Sequence, residues 1–264
     1  MLQTFIAILV TVTLVGIVQA VGLNDTGITD CRDDKSVVTT GVEDDSGTHP
    51  RQDCRYGRDA AAKAGVLTKI GGGSKGFDYS KIANDGSVLV EPADQPESAF
   101  LGSGPTDWAC TRDNVTGLIW EVKTTSGLRD VKHTYSWYNS NATTNGGWAG
   151  TSSGGTCATS GRCDTEKFVA DVNAMGLCGA TDWRLPTKKE LMSIVDYGIA
   201  YSWPTIDATW FPNTITEDFW SASPSSYPSN NSREACLVSF KNGSAAGQVS
   251  KSSSYRVRLV RAGQ

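Results

Sequence analysis

"SPSSYPSNNSREACLVSF" (Ser223–Phe240) decides how the end of this 264-residue chain is built. Its first half has the Ser/Asn/Pro composition of a loop. Its second half alternates like a strand. Successive strand side chains point to opposite faces. Cys236, Val238 and Phe240 therefore share one face, and Ala235, Leu237, Ser239 and Lys241 share the other. The face carrying the aromatic ring is expected to be the core, which leaves Leu237 and Ser239 outward. "FWSAS" (Phe219–Ser223) reads as a strand before this stretch and "YRVRLVR" (Tyr255–Arg261) as one after it. The Asn-Gly of "KNGS" (Lys241–Ser244) is a hairpin signal. A loop-like tract held between strands is not an interdomain linker.

Working back along the chain, "DNVTGLIWEV" (Asp113–Val122) reads as a turn leading into a strand over Leu118–Val122. In "CDTEKFVADVNAMGLCG" (Cys163–Gly179), Phe168, Val172 and Met175 fall at i, i+4 and i+7, one face of a helix that Gly176 ends. "DWRLPTKKELMSIVDYG" (Asp182–Gly198) carries a capping box, with Thr187 at the cap and Glu190 three residues on. Leu191, Ile194 and Val195 form its buried stripe, and Gly198 is expected to close the helix. The fold class that follows is α+β: two helices packed on a mostly antiparallel sheet, with long disulfide-tied loops.

The N-terminal third reads differently. "FIAILVTVTLVGIV" (Phe5–Val18) followed by "VQA" (Val18–Ala20) has the form of a signal peptide over residues 1–20. It is short for a membrane span. Because "MLQTF" carries no Lys or Arg, an uncleaved anchor is the alternative. The expected location is secreted, periplasmic or cell surface. Residues 21–105 read as a loop-rich extension and 106–264 as the main domain. Within the extension, "YGRDAAAKAG" (Tyr56–Gly65) is an Ala-rich helix stopped by glycine. "KIGGGSKGFDYSKIANDGS" (Lys69–Ser87) lacks the ending of a phosphate loop and is expected to be a surface loop.

Seven cysteines in an exported chain point to disulfides. By position Cys31 goes with Cys54, Cys110 with Cys178 and Cys157 with Cys163, although position alone leaves other connectivities open. Cys236 is left over and reads as a small buried hydrophobe. A net charge of −4 gives no reason to expect nucleic acid. From Phe219 onward six Lys or Arg face one acid, Glu234, so the end of an acidic chain is basic. The two histidines, His49 and His133, supply no zinc set, and no EF-hand spacing appears among the acids. No cofactor, metal or catalytic residue is expected.

"WACTRDNVTGLIWEVKT" (Trp108–Thr124), "TDWRLPTKKELMSIVD" (Thr181–Asp196), "FPNT" (Phe211–Thr214), "FWSAS" and the closing "VRLVR" (Val257–Arg261) resemble the Lcl C-terminal domain family, a bacterial exported domain. "GLNDTGIT" (Gly22–Thr29) and "YGRDAAA" (Tyr56–Ala62) resemble members with a longer N-terminal architecture. The resemblance implies a C-type-lectin-like fold. It also implies distant kinship with formylglycine-generating oxidases, whose chemistry needs a pair of C-terminal cysteines where this chain has only Cys236. Family members often carry Trp at that position. Some members are adhesive domains that bind sulfated glycans. Others resemble the variable proteins of diversity-generating retroelements, whose C-terminal segment is mutated in bulk.

That last likeness gives the Ser/Asn tract a purpose. Tyr offers contact area at low entropic cost, and Ser, Gly and Asn offer adaptable hydrogen bonds, as in an antibody paratope. The displayed residues are then Tyr227, Ser229, Asn230, Ser232, Arg233, Leu237, Ser239, Lys241, Ser244, Gln248, Ser250, Ser252, Ser254 and Tyr255. The fixed frame is Phe219, Trp220, Val238, Phe240, Val257 and Leu259. The expected partner is a protein or glycan at a cell or particle surface. The alternative is a sulfated glycan gripped by Lys241, Lys251, Arg256, Arg258 and Arg261.

Overall fold

A computed structural model describes residues 24–32, 37–38, 53–90, 100–199, 204–226 and 232–263. The elements in chain order are β1 (Cys31–Arg32), β2 (Val37–Val38), α1 (Asp53–Tyr56), α2 (Arg58–Lys63), β3 (Tyr79–Ala83), β4 (Val88–Leu89), β5 (Trp108–Asp113), β6 (Leu118–Glu121) and β7 (Tyr135–Ser136). They continue with α3 (Thr165–Met175), α4 (Lys188–Met192), β8 (Asp218–Pro224), β9 (Glu234–Ser239), β10 (Ala245–Ser250), β11 (Ser254–Tyr255) and β12 (Val260–Ala262). The architecture is α+β, with antiparallel sheets, few helices and three disulfides, consistent with a C-type-lectin-like fold.

The larger sheet runs β12-β6-β5-β3-β4 and the smaller β10-β9-β8, every pairing antiparallel. The smaller sheet stands between two apolar clusters. Ala235 and Leu237 of β9 and Trp220 of β8 join Trp137, Phe168 and Val172 on one side. Val238, Phe240 and Phe219 join Phe77, Leu191 and Phe211 on the other. All six expected frame residues are buried. The alternation expected of β9 is present, but both of its faces are covered. Leu237 is 4% exposed and Ser239 9%, so neither is displayed. Leu237 belongs to the cluster that Phe168 and Val172 of α3 join from some 70 residues away in sequence, which no local pattern in β9 reveals.

The helices form where their caps place them. Asp164 accepts the Lys167 N–H at the start of α3, and Gly176 closes it in the left-handed conformation at φ 66°. Phe168 and Val172 are fully buried, whereas Met175, expected on the same face, stays exposed. The Thr187–Glu190 capping box is present, and Glu190 also takes two hydrogen bonds from Arg184 at 2.7 and 2.8 Å. That helix is shorter than expected: α4 ends at Met192, with Leu191, Ile194 and Val195 still buried. "YRVRLVR" is not one strand. It breaks into β11, which pairs with β7, and β12, which pairs with β6, with Arg258 buried between them.

The N-terminal extension is partly built into the sheet. Tyr79–Ala83, expected to lie in a surface loop, is β3, hydrogen-bonded between β4 and β5. A lysine in mid-pattern disguised it. Lys81 is nevertheless buried, its ammonium 4.5 Å from the centroid of Trp108 and 5.6 Å from that of Trp210. The Cys31–Cys54, Cys110–Cys178 and Cys157–Cys163 pairs all form.

Among the described residues no helix is long and apolar enough to cross a membrane. The expected signal peptide lies outside the described residues.

Candidate functional site

β9 is a strand that cannot move without disturbing two cores, and β10 is hung on it by the turn that the Asn-Gly pair predicts. Gly243 has φ 73°, and a Cβ there would lie 2.6 Å from the Tyr197 ring, so only glycine fits. Tyr197 also donates its hydroxyl to the Gly243 carbonyl at 3.1 Å. Among the described residues β10 pairs with β9 alone, and its register shifts between Ala246 and Val249. Such a bulge twists an edge strand away from further pairing. What β10 presents outward is therefore its side chains rather than an edge open to strand addition.

Those side chains are small and polar. Lys241, Ser244, Gln248, Ser250 and Ser252 are exposed, and Ser232, Ser254 and Tyr255 are half-buried. Arg233 is exposed, with its guanidinium 5.1 Å from the Trp148 centroid. Tyr255 is partly spent on the frame, meeting Trp220 edge-on at 5.0 Å. Of the fourteen residues expected to be displayed, Leu237 and Ser239 are withdrawn into the interior. Tyr227, Ser229 and Asn230 lie outside the described residues.

Sequence reasoning missed the piece that holds this surface together. Lys251 is fully buried, and its ammonium donates to the carbonyls of Asn145, Trp148 and Ser232 at 2.7, 2.8 and 2.6 Å. It also stands 4.3 Å from the Trp137 centroid. Burial pushes its pKa down to about 8. One cation thus ties the loop after β7 to both flanks of β9 and β10. The same loop fits closely elsewhere: a Cβ on Gly146 would lie 2.6 Å from Pro224 and one on Gly147 3.3 Å from Ser232. It also supplies Asn139 and Thr144 to a cleft of about 440 Å³ lined by Trp137, Tyr138, Val169, Leu185 and Ala222. Glu166 and Arg184 add opposite charges to a mainly apolar lining.

The five cations expected to grip a sulfated glycan do not form a patch. Lys251 and Arg258 are fully buried, Arg258 donating to the Glu121 carbonyl and the Thr214 hydroxyl, each at 2.6 Å. Arg256 donates to the Lys132 carbonyl. Arg261 is paired with Asp182 at 2.6 Å, in a polar cleft of about 520 Å³ that Arg112 and Asp85 also line. Lys241 stands apart, exposed in the turn between β9 and β10, and the three arginines of the closing run are split among three environments because β11 and β12 serve different sheets.

Cys236 has no disulfide partner and is buried; burial pushes its thiol pKa up, Lys188 opposing. A thiol held protonated is a poor nucleophile.

The family model of the Lcl C-terminal domain matches residues 109–261. The chain belongs to that family. The matched span begins in β5 and ends in β12, so it takes in the smaller sheet, α3, α4 and the loop held by Lys251, while β3 and β4 are additions from the N-terminal side. No curated protein and no solved structure matches the chain. Family membership and three disulfides fit an exported domain.

Proposed function

We propose that this chain is an exported recognition protein that binds a ligand without catalysing a reaction, through the polar surface of β10 and its flanking turns. The observation that supports this most directly is the contrast between adjacent strands. β9 is buried on both faces, whereas Lys241, Ser244, Gln248, Ser250 and Ser252 stand exposed on β10 and its turns, touching neither core. Such positions can change side chain at little cost to folding, while the frame under them cannot. Ser and Gln offer adaptable hydrogen bonding on a preorganised platform, the combination by which a fold accommodates different partners. The partner is a protein or glycan at a cell or particle surface.

Sequencing sibling copies of the gene within its own population tests this reading. Substitutions should gather at 241, 244, 248, 250 and 252 and spare Phe219, Trp220, Val238, Phe240, Val257 and Leu259. Changes spread evenly over the chain would end it.

A second reading, a sulfated-glycan adhesin, draws on the cleft lined by Arg112 and Arg261, in which the buried Nε of Arg112 has no hydrogen-bond partner among the described residues. Salt-sensitive retention on heparin that disappears in Arg112→Gln supports the adhesin. Retention that is absent or survives the substitution removes it.

A further inference from the structure

Asp25, Asp53 and Asp59 come from three separate stretches, yet one carboxylate oxygen of each lies within 4.8 Å of the others. Asp25 precedes β1, Asp53 opens α1 beside the Cys31–Cys54 disulfide, and Asp59 sits in the first turn of α2. Asp59 is fully buried and Asp25 is 7% exposed.

Their hydrogen bonding is half complete. Asp25 Oδ1 accepts the Thr26 N–H at 2.9 Å, and Asp59 Oδ1 accepts the Gly76 N–H at 3.1 Å. Asp53 Oδ2 accepts the Thr26 hydroxyl at 2.6 Å. The Oδ2 atoms of Asp25 and Asp59 are buried and, among the described residues, find no donor outside the pair, whose two carboxyls lie within hydrogen-bonding reach of each other. Two unpartnered carboxylate oxygens beside a third carboxylate are costly unless something positive joins them. The backbone has been fitted closely to this cluster: a Cβ on Gly76 would lie 1.5 Å from Asp25 Oδ2, and one on Gly57 1.4 Å from Asp53 Oδ1. The donors are all oxygen, with no sulfur or imidazole nitrogen among the three. That set suits a hard divalent ion, and a flexible one in geometry, since carboxylates from a loop and two short helices do not impose an octahedron.

We propose that Asp25, Asp53 and Asp59 form a calcium site that clamps the N-terminal segment and its disulfide against the loop leading into β3. The ion supplies the charge that the two Oδ2 atoms lack. Backbone oxygens or water complete its usual six to eight ligands. The site is independent of the recognition surface on β10. Its role is to make the N-terminal segment order only where calcium is plentiful, as it is outside cells, where modules of this kind bind with Kd of about 10⁻⁴–10⁻³ M.

The competing account of the same geometry is a proton shared between Asp25 and Asp59, and the experiment separates the two. The full exported chain, stripped with chelator, is titrated at neutral pH with calcium chloride and in parallel with magnesium chloride. Thermal unfolding and calorimetric titration are the readouts. The site predicts one calcium per chain and a rise in Tm of about 5 °C at saturating calcium. Magnesium should give a smaller rise. Asp53→Asn, at the least buried of the three, should weaken calcium binding tenfold or more, and Asp59→Asn should abolish the rise. In chelator both variants should unfold no earlier than the wild type, because each removes a repelling charge. If Asp59→Asn fails to fold, Asp53→Asn decides alone. A wild-type Tm indifferent to calcium, as a shared proton would give, overturns the proposal, and so does an undiminished calcium response in Asp53→Asn.

Discussion

The ammonium of Lys251 lies 2.6 Å from the carbonyl oxygen of Ser232, joining the residue that follows β10 to the loop that leads into β9. The same ammonium bonds Asn145 and Trp148, so one buried charge fixes the loop after β7 against the hairpin's open end. Replacing it with methionine keeps the stem's volume but leaves three carbonyls without their donor. Lys251→Met should cost about 3 kcal/mol in urea unfolding, since a buried acceptor left unpaired costs roughly 1–3 kcal/mol. Unchanged stability would mean that water takes the ammonium's place.

The division between frame and display can be measured one residue at a time. Leu237→Ala removes a side chain from the buried cluster that also holds Trp220, Phe168 and Val257 and should destabilise by about 3 kcal/mol. Gln248→Ala and Ser250→Ala, one strand away, should each stay within about 0.5 kcal/mol of wild type. Equal losses at all three positions would remove the distinction on which the recognition reading rests.

The disulfides should differ in what they contribute. Cys110–Cys178 closes a span of 68 residues between β5 and the turn after α3. Cys157–Cys163 closes a span of 6. On chain-entropy grounds, double alanine substitution should cost about 4 kcal/mol at the first and about 2 kcal/mol at the second. Denaturant unfolding of the two variants under oxidising conditions checks the order.

Two helix-start carboxylates make stability depend on acid. Burial works to raise both pKa values. At Asp164 the Lys167 N–H and ammonium and the Ser153 N–H overcome it, and at Glu190 Arg184 and Thr187 do. Both are held below the usual carboxylate range. A folded pKa below the unfolded one gives stability that is present above about pH 4 and lost as pH falls through the folded value. Wild type should lose stability below about pH 4, and Asp164→Asn with Glu190→Gln should flatten that part of the profile. The double variant should be weaker by about 1 kcal/mol at pH 7. Parallel profiles would show that other acids dominate.

Local chemistry alone determined a good deal. The Thr187–Glu190 box, the Gly176 stop and the Asn242-Gly243 turn depend on residues within a few positions of each other, so their patterns were legible. The inward set of β9 was legible for the same reason, because alternation belongs to a single strand. Which groups are hidden was decided by tertiary structure. Leu237 is buried in a cluster that includes Phe168 and Val172 of α3, Lys81 lies against two tryptophan rings, and Lys251 is held by carbonyls more than 100 residues away. The aspartates at 25, 53 and 59 meet only because a disulfide and two short helices fold them together. Burial of a charge or an outward leucine depends on what the rest of the chain places over it, and that covering layer leaves no mark in the nearby sequence.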